Sequence, residues 1–174
     1  QKEGLEPVSM LPEDMTVQDQ ESDSFLKYYS KDQKRPKEKK TRAFQIRRKK
    51  KDGNHLHVHE SVVSVKEVLK RSRELGVSMT VFLTAVFLKA IHEEMSKMQE
   101  KKPIVLMVPV NLRKFFPSTS MLNFFNWIEP GYDFSKRDRS FEEVLGYTKD
   151  FFEEQLTKEK MSAHINDLLA LELH

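Results

Sequence analysis

Cysteine is absent from this chain of 174 residues. Without thiols the chain forms neither disulfide bonds nor thiolate zinc sites, so a reducing cytoplasm is the location we expect. Only five glycines are present, and the phosphate-cradling patterns GxGxxG and GxxxxGK[ST] do not occur. No apolar run approaches the roughly 20 residues of a membrane-spanning helix, and the first 20 residues lack the apolar stretch of a secretory signal.

Several catalytic motifs are also missing. The sequence contains no GxSxG elbow, no HExxH zinc motif and no EF-hand loop. None of its six histidines is followed four residues later by an aspartate, so an HxxxD element is absent as well. These absences exclude the hydrolase, metalloprotease and calcium-binding chemistries that such motifs carry.

Positive charge is concentrated in one segment. Residues 31–52 hold 12 Lys or Arg against 3 Asp or Glu, whereas the rest of the chain carries 18 basic and 24 acidic groups. The segment fits either a polyanion- or protein-binding surface or a solvated connector with a hairpin tip. Phe44 is its only aromatic residue, which disfavours nucleic acid because single strands bind by stacking on aromatic rings. A non-enzymatic binding module that uses this segment is the alternative function.

Three histidines alternate at His55, His57 and His59. On a strand they would share one face, which invites a metal site. Successive positions on one face lie roughly 6–7 Å apart, however, and a straight row of imidazoles chelates one ion poorly. We therefore expect a solvated edge of a hairpin and no metal site.

Hydrophobic periodicity divides the chain into a lead-in and basic connector, residues 1–42, and a folded part, residues 43–174. The lead-in includes a short helix at Asp23–Ser30. The folded part has the predicted order β-β-α-α-β-β-α-α, which indicates an α/β layered arrangement with a mixed sheet covered by helices. Its predicted elements are strands 43–48 and 55–63 in a hairpin, helices 64–76 and 77–98, strands 104–110 and 123–128, and helices from 140 and over 160–171.

An interior strand that ends in charged residues is the most informative local feature. The apolar run Ile104–Val110 predicts a strand covered on both faces, and Asn111 and Arg113 follow it directly. An arginine there is costly to bury without a carboxylate partner, and the aromatic residues after it favour burial over projection into solvent. We therefore predict a buried structural pair at Arg113, with Asn111 hydrogen-bonded to nearby backbone groups.

The second strand, residues 123–128, alternates amides with aromatic side chains. Asn123 and Asn126 flank Phe124 and Phe125, a pattern that would turn polar groups toward a channel and apolar groups toward the core. An ordinary strand with amide-capped ends explains the pattern nearly as well.

Three stretches together carry a resemblance: VSMTVFLTAVFLKAIHEEM from Val77, IVLMVPVNLRKFFPSTSMLNFFNW from Ile104, and SFEEVL from Ser140. They resemble the C-terminal subdomain of the chloramphenicol-acetyltransferase-like acyltransferases, a superfamily that includes peptide-synthetase condensation domains and plant BAHD-type enzymes. The phrase PVNLRKFFPS…NFFNW is most similar to the bacterial alcohol O-acetyltransferases. The resemblance covers residues 63–156 and extends more loosely back to Asp23.

The resemblance implies a CAT-like sandwich of two subdomains with a tunnel between them. In that family a histidine of an HHxxxD motif is the general base on an acceptor hydroxyl or amine, which attacks an acyl-CoA thioester. The motif's aspartate does not touch substrate but orients the loop through an arginine, and Arg113, with Asn111 beside it, is the position that best matches that arginine. The predicted strand 123–128 matches the family strand that borders the tunnel, so the resemblance implies that Asn123, Phe125 and Asn126 lie near the substrates. Acyl-CoA, acetyl-CoA in particular, is then a co-substrate, with no tightly bound cofactor.

The missing HHxxxD sets this sequence apart from the family. We expect the chain to be a fragment of a larger acyltransferase, without the N-terminal subdomain that would supply the histidine and the carboxylate partner of Arg113. We expect no catalytic residue in the chain itself, and therefore no turnover by the chain alone. Its partners would be a small-molecule acyl donor and acceptor.

Overall fold

A computed structural model of the chain describes residues 16–30, 42–46, 58 and 60–172. The chain forms two compact units that interleave along the sequence. Unit 1 comprises residues 1–36, 109–127 and 157–174, and unit 2 comprises residues 37–108 and 128–156. The predicted division after residue 42 stays a prediction.

Helices dominate both units. Unit 1 contains α1 (Val17–Glu21), α2 (Ser24–Lys27) and α6 (Lys158–Glu172), and unit 2 contains α3 (Val65–Glu74), α4 (Met79–Glu93) and α5 (Phe141–Gln155). Three serine N-caps begin the helices of unit 2, since the Oγ atoms of Ser64, Ser78 and Ser140 accept from the N–H three residues later. The second long helix ends at Glu93, five residues before the predicted Met98.

Gly76 ends α3, as its position after the apolar stripe predicts. Its φ of +67° lies in the left-handed region, which a residue without Cβ adopts at little cost. The Gly76 N–H donates to the carbonyl of Arg73 at 3.0 Å, and the Val77 N–H donates to that of Ser72 at 3.0 Å. These two bonds form a Schellman motif, which satisfies the last carbonyls of α3.

The apolar run Ile104–Val110 is not one interior strand, and this corrects the prediction. It divides into β1 (Ile104–Val105) and β2 (Val108–Asn111), which join different two-stranded sheets. β1 pairs antiparallel with β4 (Gly131–Tyr132), whereas β2 pairs with β3 (Phe125–Ile128). Met107, between the two strands, is 70% exposed, so the run is not covered on both faces. The described residues therefore combine helices with small sheets, consistent with an α/β class.

The predicted hairpin falls largely outside the described residues. Residues 47–57 are not described, so the turn, His55 and His57 lie outside, as does His59. The described part of the first predicted strand, residues 43–46, is not a regular strand, although the Phe44 N–H donates to the Pro103 carbonyl at 2.8 Å. Residues 60–63 are likewise irregular and exposed.

The core of unit 2 is formed by α4, α5 and the β1–β4 pair. Its buried apolar residues are Val81, Ala85, Leu88, Ile104, Tyr132, Phe134, Val144, Leu145 and Phe152. Buried His92 stacks on Phe134, with ring centroids 3.9 Å apart, and its Nε2 lies 3.1 Å from Oε1 of Glu100. The other oxygen of Glu100 accepts from Arg139 at 2.8 Å.

None of the helices in the described ranges is by itself long and apolar enough to cross a membrane. α3 and α4 meet that criterion only as a pair bent by 90°, and by length and composition alone.

Candidate functional site

The segment that follows β2 in unit 1 begins with a cap on a short turn. Residues Leu112–Lys114 form one turn of 3₁₀ helix, and Asn111 Oδ1 accepts from the Arg113 N–H at 3.0 Å. Leu112 is fully buried and anchors the turn in the core of unit 1. The prediction that Asn111 satisfies a nearby backbone group is confirmed.

Arg113 is not buried, which corrects that part of the prediction, whereas the carboxylate partner expected outside this chain stays a prediction. Its side chain is exposed, and within the described part of the chain it pairs with no carboxylate. Its Nη2 instead donates to the carbonyls of Ser120 at 2.7 Å and Leu122 at 2.8 Å. Since one guanidinium nitrogen bridges both carbonyls, Arg113 fastens the start of this loop to its end.

The segment with α1 and α2 lies against the same loop. The carbonyl of Gln20 accepts from the Met121 N–H at 2.8 Å and from the Ser120 hydroxyl at 3.2 Å. The hydroxyls of Ser24 and Ser118 are hydrogen-bonded at 2.6 Å, and the Tyr28 hydroxyl donates to the Pro117 carbonyl. The loop is thus held from two sides, by Arg113 and by the N-terminal helical segment.

Aromatic side chains pack around Phe124, the residue that directly precedes β3. Phe124 is 2% exposed, and Phe25 meets its ring edge-on at a centroid distance of 5.1 Å. Tyr28 packs on both Phe116 and Phe124, with centroids 5.0 Å and 6.0 Å away. These contacts orient the residues that follow Phe124.

The two predicted tunnel amides do not share an environment. Asn126 is 0% exposed, whereas Asn123 is exposed and Phe125 is 49% exposed. Because side chains alternate along extended chain, positions 123 and 126 have opposite parity and fall on opposite faces. The prediction that amides face one channel while aromatic residues face the core is therefore wrong in detail. Asn123 and Phe125 are the accessible residues, and Asn126 lies inside with Phe124.

Asn126 and His164 form a contact that the sequence did not reveal. Asn126 Oδ1 accepts from the Trp127 N–H at 2.8 Å and lies 3.5 Å from Nδ1 of His164 on α6. The two residues are 38 positions apart, and no short motif links them. Only the hydrophobic stripe of α6, with Met161 and Ile165 fully buried, indicates that this helix packs against the core.

The Nδ2 amide of Asn126 is buried, and among the described residues it has no hydrogen-bond partner. An unsatisfied buried donor costs roughly 1–3 kcal/mol, so such a group is a prime position for an acceptor atom of a ligand. The arrangement supplies a fixed donor, since the Oδ1 side of the amide is already held by the Trp127 N–H.

Groups that hold metals are not found in the described parts of the chain, where no set of three or more His, Asp or Glu side chains converges. The histidines at 55, 57 and 59 lie outside those parts. In unit 1 the pKa of Asp19 is lowered, mainly by hydrogen bonds from the hydroxyl and N–H of Thr16, which caps α1. This shift belongs to a helix cap and not to the Asn126 contact.

Comparison with known proteins gives one match. A family model described as alcohol acetyltransferase matches residues 7–153, which is more than half of the chain. No curated protein matches the chain, and no solved structure does.

Proposed function

The chain belongs to the alcohol acetyltransferase family, and from this premise we propose that it is part of an enzyme that transfers an acetyl group from CoA to an alcohol or amine. The family match over residues 7–153 is the observation that carries the proposal. The resemblance of the PVNLRKFFPS…NFFNW phrase to bacterial members supports the same reaction class. A CAT-like sandwich of two subdomains is the architecture we propose for the whole enzyme.

The reaction needs a base that this sequence does not contain in the family's form. No histidine here lies in an HHxxxD motif, so we propose that the motif is supplied outside the sequence. Its histidine would take the proton of the acceptor hydroxyl or amine as the oxygen or nitrogen attacks the thioester carbonyl. The tetrahedral intermediate then collapses, the C–S bond breaks, and the CoA thiolate leaves with a proton from the same histidine.

Within this chain, the proposed contribution is one wall of the site. The free Nδ2 donor of Asn126 suits a developing negative charge on oxygen, because such donors stabilise charge that forms in the transition state. Asn123 and Phe125 are exposed on the face opposite Asn126, and we propose them as a separate contact with the acceptor or acyl chain. Arg113 and Asn111 act indirectly, by fixing the loop between β2 and β3.

The first test measures thiol release from acetyl-CoA with a panel of alcohols. We expect the 174-residue chain to give only the uncatalysed rate, and a longer polypeptide that includes an HHxxxD segment to turn over. Clear turnover by the chain alone would remove the external histidine from the proposal. Absence of turnover by the longer polypeptide with every alcohol and amine would remove the acetyl-transfer reaction itself.

The second arm substitutes Asn126→Asp in the active, longer polypeptide, which keeps the Oδ1 acceptor and deletes the Nδ2 donor. Loss of one such donor is expected to lower kcat by about 100-fold or more, with a much smaller change in KM. Asn166→Asp is the matched control, because Asn166 is also buried in unit 1, at 4% exposure. An equal loss of kcat in both variants, each verified as folded, would show that a buried carboxylate alone explains the effect.

A further inference from the structure

A cavity of about 580 Å³ opens where the end of α3, the start of α4 and the end of α5 meet in unit 2. Its volume falls in the range of small-molecule pockets, roughly 300–1,000 Å³. It lies wholly within unit 2 and includes none of the residues of the candidate site above. The acetyltransferase family match assigns nothing to it.

The floor of the cavity is apolar. Val81 of α4 and Phe152 of α5 line it and are 5% and 6% exposed. Val77 and Leu156 add half-buried apolar walls. A floor of this kind favours an alkyl chain, since each methylene removed from water strengthens binding by about fourfold.

Two cations line the same cavity from different helices. Arg73 belongs to α3 and Lys149 to α5, and both are exposed. Among the described residues neither forms an ion pair, and the only acidic lining residue is Glu153. Arg73 also lines an adjoining cavity along α3, together with Lys66, Lys70 and Glu74. The cavity thus combines an apolar floor with unpaired positive charge.

We propose that this cavity binds a free monoanionic amphiphile, namely a medium-chain carboxylate. The carboxylate would lie between Arg73 and Lys149, and the alkyl chain would lie on Val81 and Phe152. Charge complementarity selects an anion, and a volume of about 580 Å³ suits a single alkyl chain better than a two-chain lipid. The inference is independent of the acetyltransferase activity, because it requires neither CoA nor the Asn126 region.

The test is isothermal titration of the full chain with hexanoate, octanoate and decanoate below their micelle concentrations, with 1-decanol as the uncharged probe. We expect saturable one-site binding, an affinity that rises about fourfold per methylene, and at least tenfold weaker binding of decanol. Arg73→Gln combined with Lys149→Gln should weaken decanoate at least tenfold. Arg71→Gln combined with Lys97→Gln removes the same charge from exposed positions outside the cavity lining and should leave the affinity unchanged.

Three results would overturn the proposal. They are an absence of saturable binding by decanoate, an equal loss in both double variants, and equal affinities for decanol and decanoate. Vesicles of anionic phosphatidylglycerol test the competing ligand, a lipid that also joins one negative charge to alkyl chains. If vesicles bind the chain through Arg73 and Lys149 while free decanoate does not, the surface is a lipid-headgroup site and the carboxylate proposal is wrong.

Discussion

Arg113 shows how one side chain sets the geometry of a loop. Its Nη2 donates to the carbonyls of Ser120 and Leu122. The loop from Arg113 to Leu122 carries the contacts to Gln20 and Tyr28. Two charge-assisted hydrogen bonds of this kind hold the guanidinium against the loop. The residue type matters because a planar guanidinium presents several N–H groups in fixed directions, which an ammonium group does not.

Arg113→Lys should therefore lower the free energy of unfolding by about 1 kcal/mol, since the charge remains but the double contact is lost. Urea unfolding measures the change, and hydrogen exchange of the amides of residues 118–124 should quicken. Lys114→Gln is the matched control, because Lys114 is its exposed neighbour and surface changes usually stay within about 0.5 kcal/mol. Equal effects of the two substitutions would show that Arg113 does not fasten the loop.

The Asn126–His164 contact marks the limit of sequence reasoning at the residue scale. The resemblance of NFFNW to a known family points to position 126, but its unpaired Nδ2 and its contact with His164 of α6 are seen only in the structure. The prediction that Asn123 and Asn126 face the same channel is wrong, because side chains three positions apart on an extended chain point to opposite faces, whatever their type. A contact between residues 38 positions apart leaves no local signature.

At the scale of elements, local signals were read correctly where they act over one turn. The helices predicted to begin at residues 64 and 140 start at the N-caps Ser64 and Ser140, and the first of them stops at Gly76 as predicted. The apolar run Ile104–Val110 divides into two strands, against the prediction, because its pairing partners lie further along the chain, β4 for one half and β3 for the other. The hydrophobic periodicity of seven residues does not indicate which strands they will pair with.

Two glycines allow a matched test of helix-end geometry. Gly76→Ala should lower the free energy of unfolding by roughly 1–2 kcal/mol, because an L-residue is strained at φ +67°. Gly146→Ala lies inside α5 and should raise stability by roughly 0.5–1 kcal/mol. An added Cβ meets nothing within 4 Å at either position, so clashes do not confuse the comparison. Urea unfolding of both variants gives the two signs, and a neutral or stabilising Gly76→Ala would contradict the Schellman assignment.

At the scale of the whole molecule, three aspartates respond to acid in the same direction. Hydrogen bonds from Ser140 lower the pKa of Asp138, and bonds from Thr16 lower the pKa of Asp19. For Asp133, burial raises the pKa, but hydrogen bonds from Ser135 and Lys136 outweigh it and the net shift is downward. In each case the folded chain binds protons less readily than the unfolded chain, whose aspartates titrate near about 3.9.

The stabilisation from these carboxylates is therefore complete above about pH 4 and is lost as the pH falls through the lower pKa values of the folded state. The urea midpoint should be steady from pH 6 to 4.5 and should fall below pH 4. Asp138→Asn should reduce that fall, since it removes one of the titrating groups. An identical pH profile for wild type and variant would show that Asp138 contributes nothing to acid sensitivity.

The interleaving of the two units has a consequence for the order in which the protein is made. All residues of unit 2 have been synthesised once residue 156 has left the ribosome, whereas unit 1 still lacks α6 at that point. The exit of α6 therefore sets the earliest moment at which Asn126 acquires its His164 neighbour. Until then the loop after β2 has its N-terminal helical partner only, so a ribosome-bound factor that shields apolar surface should stay on unit 1 longer than on unit 2.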